Sequence, residues 1–275
     1  MIGAKGILLR SQGIPAVPDI VPGDLECPPG VVYFQFEGLA DAGLRHAVFT
    51  RLGGVSRPPY DTLNVGKECG DDPEDVKKNL AIVQQVFGTN HLISMKQVHG
   101  KRAQVVTEDD ISRLPRSFHG DALITGVSGV ALMVKVADCQ GIILFDPENR
   151  VLANIHCGWR GNVLNIIDVA VERMCATFGS RASEIKAAIS PSLGPCCGEF
   201  VTHEEIFPAE FRSFMWRKNY FDLWGISRWQ MMRAGLRDEN IEVAGICTRC
   251  RTDLFFSYRA EGMTGRFAVL SMLRE

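Results

Sequence analysis

A chain of 275 residues is long enough to bury a sizeable core as one large domain. Its 46% hydrophobic and 23% charged residues exclude a disordered chain, and a formal net charge of -2 without long single-sign runs leaves no footprint for nucleic acid or an anionic membrane. A small-molecule partner is expected, and no stretch approaches the roughly 20 apolar residues that span a bilayer, so the setting is read as cytoplasmic and the state as monomer or small homo-oligomer.

Residues 1–30, punctuated by Pro15, Pro18, Pro22, Pro28 and Pro29, are expected as an irregular N-terminal arm, and residues 31–275 as one compact domain. Strands are expected at 31–36 and 46–50, the second running into the loop Arg51-Leu52-Gly53-Gly54-Val55-Ser56. Asp72 is an N-cap, with Pro73 at the first helical position and Glu74 and Asp75 at the positive end of the helix dipole. That helix should reach Phe87, burying Val76, Leu80, Val83 and Phe87 on one face before Gly88 stops it. Short apolar or β-branched runs at 92–97, 103–106, 122–125, 130–136, 141–145 and 151–156 read as strands, many apolar enough to be covered on both faces. A helix is expected from Gly161 through Phe178, closed by Gly179. Strands at 184–189 and 241–246, helical material between 203 and 236, and a buried strand at 267–273 complete the series, with no internal repeat.

Nine cysteines in a chain too large to need stapling point to buried thiols, metal ligands or nucleophiles. Three segments end an apolar strand in a polar terminus that strand stability does not call for: Gln97-Val98-His99-Gly100, Val136-Ala137-Asp138-Cys139 and Ile155-His156-Cys157-Gly158-Trp159-Arg160-Gly161. Two imidazoles and one thiolate suit Zn²⁺, and three protein ligands leave one coordination position for water or substrate. Taken singly, each of the three is equally a strand cap, a small buried hydrophobe or a satisfied core histidine. A rival set, Cys196, Cys197, Cys247 and Cys250, has one good Cys-x-x-Cys half. Adjacent cysteines point their side chains apart and make a poor chelate, since zinc frames separate paired ligands by about two to four residues, so these four are expected as buried or free thiols. Arg51, Arg160, Arg259 and Arg266 could bind phosphate or carboxylate, and Tyr60, Trp159, Phe255, Phe256 and Tyr258 could form a stacking slot.

On these motifs the chain resembles the YfiH-like family, variously labelled laccase-like polyphenol oxidases and purine nucleoside phosphorylases. The resemblance runs from about His46 to the C-terminus through Thr50-Arg51-Leu52-Gly53-Gly54-Val55-Ser56, Tyr60-Asp61-Thr62-Leu63-Asn64-Val65-Gly66, Gln97-Val98-His99-Gly100, Ala137-Asp138-Cys139, His156-Cys157-Gly158-Trp159-Arg160-Gly161 and Phe255-Phe256-Ser257-Tyr258-Arg259. It implies a mixed α/β domain with two mixed sheets between helical layers, the catalytic domain being 31–275. It also implies a zinc site on His99, Cys139 and His156, phosphorolysis of adenosine, inosine and methylthioadenosine, and adenosine deamination as a second activity. The older laccase label implies copper. Chemistry then assigns Asp138 or Asp121 as proton shuttle and Arg51 or Arg160 as phosphate ligand, with Asn64, Asp121, Trp159 and Tyr258 binding substrate. One departure is Gln140, where relatives commonly carry Leu-Pro after the cysteine, which could reshape the pocket edge.

Three other readings stand beside this one. A Cys–His hydrolase would use Cys139 as nucleophile and His156 or His99 as base, and would survive chelation. A copper-dependent polyphenol oxidase normally needs more histidines than one trio, and the sequence has six in all. A non-catalytic zinc module would bind metal without turnover.

Overall fold

The strand closest to the C-terminus, Phe267–Leu273, is buried at every position and pairs antiparallel on both sides, with Leu44–Phe49 and Val130–Val136. It is the centre of the fold. The computed structural model describes residues 7–10 (as backbone), 28–41, 43–114 and 117–275. In chain order the strands are β1 Ile7–Arg10, β2 Tyr33–Phe36, β3 Leu44–Phe49, β4 His91–Lys96, β5 Ala103–Val105, β6 Phe118–His119, β7 Ala122–Thr125 and β8 Val130–Val136. They continue as β9 Gln140–Asp146, β10 Val151–Cys157, β11 Lys186–Ile189, β12 Met215–Arg217, β13 Tyr220–Phe221, β14 Ile241–Val243 and β15 Phe267–Leu273. The α-helices are α1 Pro73–Phe87, α2 Glu108–Ser112, α3 Trp159–Val163, α4 Ile166–Phe178, α5 His203–Ile206, α6 Leu223–Arg233 and α7 Tyr258–Glu261.

Two mixed sheets result, one ordered β1-β2-β3-β15-β8-β4-β6 and one ordered β14-β11-β9-β10-β7-β5, with β12 and β13 as a separate hairpin. Strand periodicity explains the layers. Along β8, Leu132 and Val134 face the second sheet, where they meet Ile143, Phe145 and Leu152; Ala131 and Met133 face Val83 and Phe87 of α1. Ile142, Leu144, Ala153 and Ile155 of the second sheet pack on Ile167, Ala170 and Met174 of α4 and Met231 of α6. The order is helix, sheet, sheet, helix, as expected. Asn154 stitches the two sheets from inside, its Nδ2 donating to the carbonyls of Leu132 and Val269 at 2.9 and 3.0 Å.

Local signals held best where caps were explicit: Asp72 accepts from the Glu74 N–H at 2.8 Å, and Gly88 closes α1 at a φ of 68°. Other expectations need correction. The N-terminal arm is not irregular throughout, because Ile7–Arg10 pairs antiparallel with β2, whose open edge offers backbone partners; residues 1–6 and 11–27 lie outside the described residues. The helix expected from Gly161 to Phe178 is two helices, split at Asn165, which takes a left-handed φ of 52° that Asn tolerates. Between 203 and 236 only His203–Ile206 and Leu223–Arg233 are α-helical. A 3₁₀ helix, Ala209–Phe214, adds to the helical material, and a hairpin through Asn219, at a φ of 66°, carries the part that is not helical, drawn in by the cluster of Phe200, Phe211 and Phe221.

Candidate metal centre and its pocket

The chain passes from one sheet to the other three times at one end of the layers: β4 to β5 through residues 97–102, β6 to β7 through 120–121, and β8 to β9 through 137–139. These crossings carry His99, Asp121 and Cys139. His156 joins them from β10, its N–H donating to the Asp121 carbonyl at 2.7 Å. Side chains 17 to 57 residues apart in sequence therefore meet because the crossings stack.

Asp121 is the node. Fully buried, it accepts from the N–H groups of His99 and Gly100 at 2.9 and 2.7 Å and bonds His156 Nδ1 at 2.9 Å. Two of these bonds pin a residue in the left-handed region, His99 at a φ of 57°, a strain of order 1 kcal/mol that such a carboxylate offsets. With Nδ1 committed, His156 presents Nε2 as its free donor. His99 Nε2 lies 3.9 Å from Cys139 Sγ, and the two imidazoles meet edge to face at 4.7 Å. The donor atoms of His99, Cys139 and His156 all fall within 4.8 Å of one another, a group that could hold a metal ion. Gly158 clears the space, since a Cβ there would stand 2.7 Å from Cys139 Sγ.

Burial alone would raise the Cys139 thiol, but attraction to and hydrogen bonds from His156 and His99 outweigh it and bring its pKa down to about 6. Burial works the other way on His156, where the Cys139 charge and the Asp121 hydrogen bond lift the imidazole to about 9. Without metal the pair is thus thiolate and imidazolium. After metal stripping, peptide-resolved alkylation of Cys139 is expected to be half-maximal near pH 6 instead of the ordinary 9, and His156→Ala should move the midpoint back up. A midpoint near 9 in the stripped parent chain would show that no such ion pair forms.

The trio forms one wall of a cavity of about 580 Å³, a volume within the small-molecule range. Asp138, Trp159, Arg160 and Tyr258 line it as well. Three expected residues do not reach it. Arg51 is 7% exposed, its guanidinium spent on the carbonyls of Asp61 and Thr252, an ion pair with Glu261 at 2.8 Å and the face of Phe256 at 4.5 Å, so it holds loops together. Asn64 is buried and accepts from the Gly66 and Arg266 N–H groups, both at 2.8 Å, which fixes backbone instead of substrate. Asp121 has both oxygens engaged beneath the candidate metal donors. Asp138, at a φ of 81°, lines the cavity, and its carboxylate accepts from the Thr248 and Ser257 hydroxyls, both at 2.7 Å, and the Arg259 N–H at 2.5 Å, bonds that anchor the Cys139 turn.

Of the aromatic residues, Tyr60, Phe255 and Phe256 are core, and Phe200 joins Trp159 and Tyr258 on the cavity wall. Gln140 turns away from the cavity, donating to the Leu223 carbonyl at 3.1 Å. Arg259 and Arg266, two of the four candidate anion-binding arginines, line it, and so does Lys135, which sequence reasoning missed. Lys135 had a readable signal, a lone cation in the apolar run of β8, and burial holds its ammonium below the ordinary lysine range.

The thiols of Cys196, Cys197, Cys247 and Cys250 form a second donor group within 4.8 Å, against expectation. Neighbouring side chains point apart on an extended chain. Cys196 and Cys197 lie in a tight turn, with the Cys197 N–H on the Gly194 carbonyl at 2.9 Å, and a turn lets neighbouring side chains converge.

Two facing mixed sheets, with a His-Cys-His donor group at their crossings and a cationic, aromatic-walled cavity beside it, define a mixed α/β protein with a candidate metal site. The family model described as multi-copper polyphenol oxidoreductase laccase matches residues 45–274. The purine nucleoside phosphorylase of Deinococcus radiodurans is 36% identical over 90% of this chain and 95% of its own length. The purine nucleoside phosphorylase YlmD of Bacillus subtilis is 30% identical over 82% and 87%. Among solved structures, YlmD from Geobacillus stearothermophilus has a TM-score of 0.81 at 30% identity, covering 92% of this chain and 100% of that one. The Bacillus licheniformis protein YfiH also has a TM-score of 0.81, at 28% identity over 90% and 97%. The chain belongs to the YfiH-like family.

Proposed function

We propose that this chain is a zinc-dependent purine nucleoside phosphorylase that also deaminates adenosine. One observation carries the reading: the three metal donors converge on the wall of a cavity that also holds Arg160, Arg259 and Arg266 and the aromatic faces of Trp159, Phe200 and Tyr258. The names of the similar proteins support the substrate class. Zinc agrees with the donor set, because bonds of about 2.0–2.1 Å to nitrogen and about 2.3 Å to sulfur put tetrahedral N and S donors about 3.6 Å apart. The His99–Cys139 separation of 3.9 Å is close to that.

When bound, zinc supplies Lewis acidity at the coordination position that the three side chains leave open. Asp121 fixes the His156 ring and the His99 backbone, so the donors are preorganised. Arg259 spends Nη1 on the Glu199 carbonyl at 2.9 Å, and Arg266 spends its own on the carbonyls of Thr264 and Gly265. Each is thereby held with its remaining guanidinium N–H groups free for an anion. Arg160 stacks on Trp159 at 4.7 Å and is an exposed cation on offer to phosphate. The flat faces of Trp159, Phe200 and Tyr258 receive the purine.

The Cys139–His156 ion pair favours one other reading, a thiol hydrolase with Cys139 as nucleophile. Copper oxidation has less support. Among the described residues only His99 and His156 of the six histidines enter a donor group, which does not assemble the imidazoles of several copper centres.

The test is incubation of metal-loaded protein with adenosine, inosine and methylthioadenosine, with and without phosphate. Free purine base and ribose 1-phosphate (5-methylthioribose 1-phosphate from methylthioadenosine) are expected only with phosphate, lost on chelation and restored by zinc. Turnover indifferent to chelation would favour the thiol reading and sink this one. Arg160→Ala should weaken phosphorolysis through its phosphate dependence by about ten- to a hundredfold, the loss of roughly 1.5–3 kcal/mol from a charge-assisted pair, and spare deamination.

A further inference from the structure

We propose that Cys196, Cys197, Cys247 and Cys250 form a second metal site, a tetrathiolate centre for zinc, separate from the His99–Cys139–His156 group. Its four Sγ atoms lie within 4.8 Å of one another, with Cys250 at 3.6 Å from Cys196 and 3.5 Å from Cys197. A disulfide needs about 2.05 Å between sulfurs. Four sulfurs at about 2.3 Å from one zinc stand about 3.8 Å apart, so these separations match a shared cation.

The backbone builds the site from two turns held side by side. Cys197 N–H donates to the Gly194 carbonyl at 2.9 Å in one turn, and Cys250 and Arg251 N–H groups donate to the Cys247 carbonyl at 3.2 and 3.1 Å in the other. A parallel bridge between Ser192 and Cys247 joins them, with Thr248 N–H on the Ser192 carbonyl at 3.0 Å. Two of the thiols are buried and two exposed, so an ion has an entry path. The surroundings suit the dianion that four thiolates around a divalent cation make. Gly194 N–H donates to Cys247 Sγ at 3.3 Å, Arg249 hydrogen-bonds the Cys197 side chain, and Arg217 donates to the Cys196 carbonyl at 3.2 Å. Carboxylates are missing from this donor set, which selects a thiophilic ion over magnesium or calcium.

A closed four-ligand site has no open position, so its role is structural. It ties the segment carrying Leu193 and Phe200 to the one leading into Tyr258 and Arg259, all four of which line the cavity. Leu193 N–H and the Thr248 hydroxyl both reach Asp138, at 2.8 and 2.7 Å, which places the two tied segments against the Cys139 turn. The cavity wall is thus fastened from outside the His99–Cys139–His156 group.

The experiment is elemental analysis of full-length protein purified from zinc-replete cells under reductant. About two zinc ions per chain are expected, falling to about one in Cys250→Ser and, independently, to about one in Cys139→Ala. X-ray absorption at the zinc edge of Cys139→Ala/His156→Ala should then show sulfur alone in the first shell, at about 2.3 Å. That measurement decides the matter if Cys250→Ser does not fold. A single zinc per chain that survives Cys250→Ser would overturn the proposal. So would iron in place of zinc, or non-reducing peptide maps in which Cys250 is disulfide-linked to Cys196 or Cys197.

Discussion

Alanine at His99, Cys139 or His156 is expected to remove one metal ion per chain and lower phosphorolysis by about a thousandfold or more, since roughly 4 kcal/mol of charge stabilisation is what a bound cation supplies. The three substitutions should differ in stability. His99 is exposed, so its loss leaves little buried surface unsupported. His156 is 3% exposed and bonded to Asp121, so His156→Ala strands a buried carboxylate and should cost about 3 kcal/mol in addition. Metal content, turnover and melting temperature measured together separate the cases. Full metal occupancy in all three variants would show that the trio is not a metal site, and unchanged turnover in metal-free protein would show that the metal is not catalytic.

The sheets and their helical covers were legible because their causes are local. The nearly continuous apolar run Val130–Val136 marks a strand covered on both faces, and Asp72, Pro73 and Gly88 mark both ends of α1. The trio was legible for a different reason: each ligand sits where an apolar strand yields to a turn, and the resemblance puts these turns in one motif set. What sequence could not show is how a side chain's hydrogen-bonding capacity is spent. Arg51 and Asn64 lie in motifs beside glycines, a pattern equally suited to binding a ligand or bracing a loop. Glu261, 210 residues away from Arg51, decides between them.

The same limit misled in the opposite direction at Cys196-Cys197. Neighbouring cysteines are poor partners on a strand and good ones on a turn, and only the tertiary bridge from Ser192 to Cys247 brings the second pair into reach. Asp138 has the residue type of a proton shuttle, and sequence does not show that its carboxylate accepts from two hydroxyls of residues 110 and 119 positions away.

Asp121 offers the sharpest separation of positioning from ligation, because it bonds two of the proposed metal ligands and is not itself one of the three proposed donors. Its carboxylate is held below its ordinary pKa: burial opposes ionisation, but hydrogen bonds from His156, Gly100 and His99 outweigh it. Asp121→Asn keeps the shape and one acceptor but removes the charge that raises the basicity of His156. Metal affinity is expected to fall about ten- to a hundredfold with the fold intact, as such outer carboxylates do when replaced. Asp121→Ala should do more. It releases the left-handed backbone at His99 and leaves three donors unpaired, a loss of about 3–5 kcal/mol in stability together with the trio metal. The diagnostic readout is rescue: excess zinc should restore Asp121→Asn turnover to near the parent value, because its ligands remain, and should fail to restore His156→Ala. Equal affinity for zinc in Asp121→Asn and the parent would show that the carboxylate braces the turn alone and does not tune the metal site.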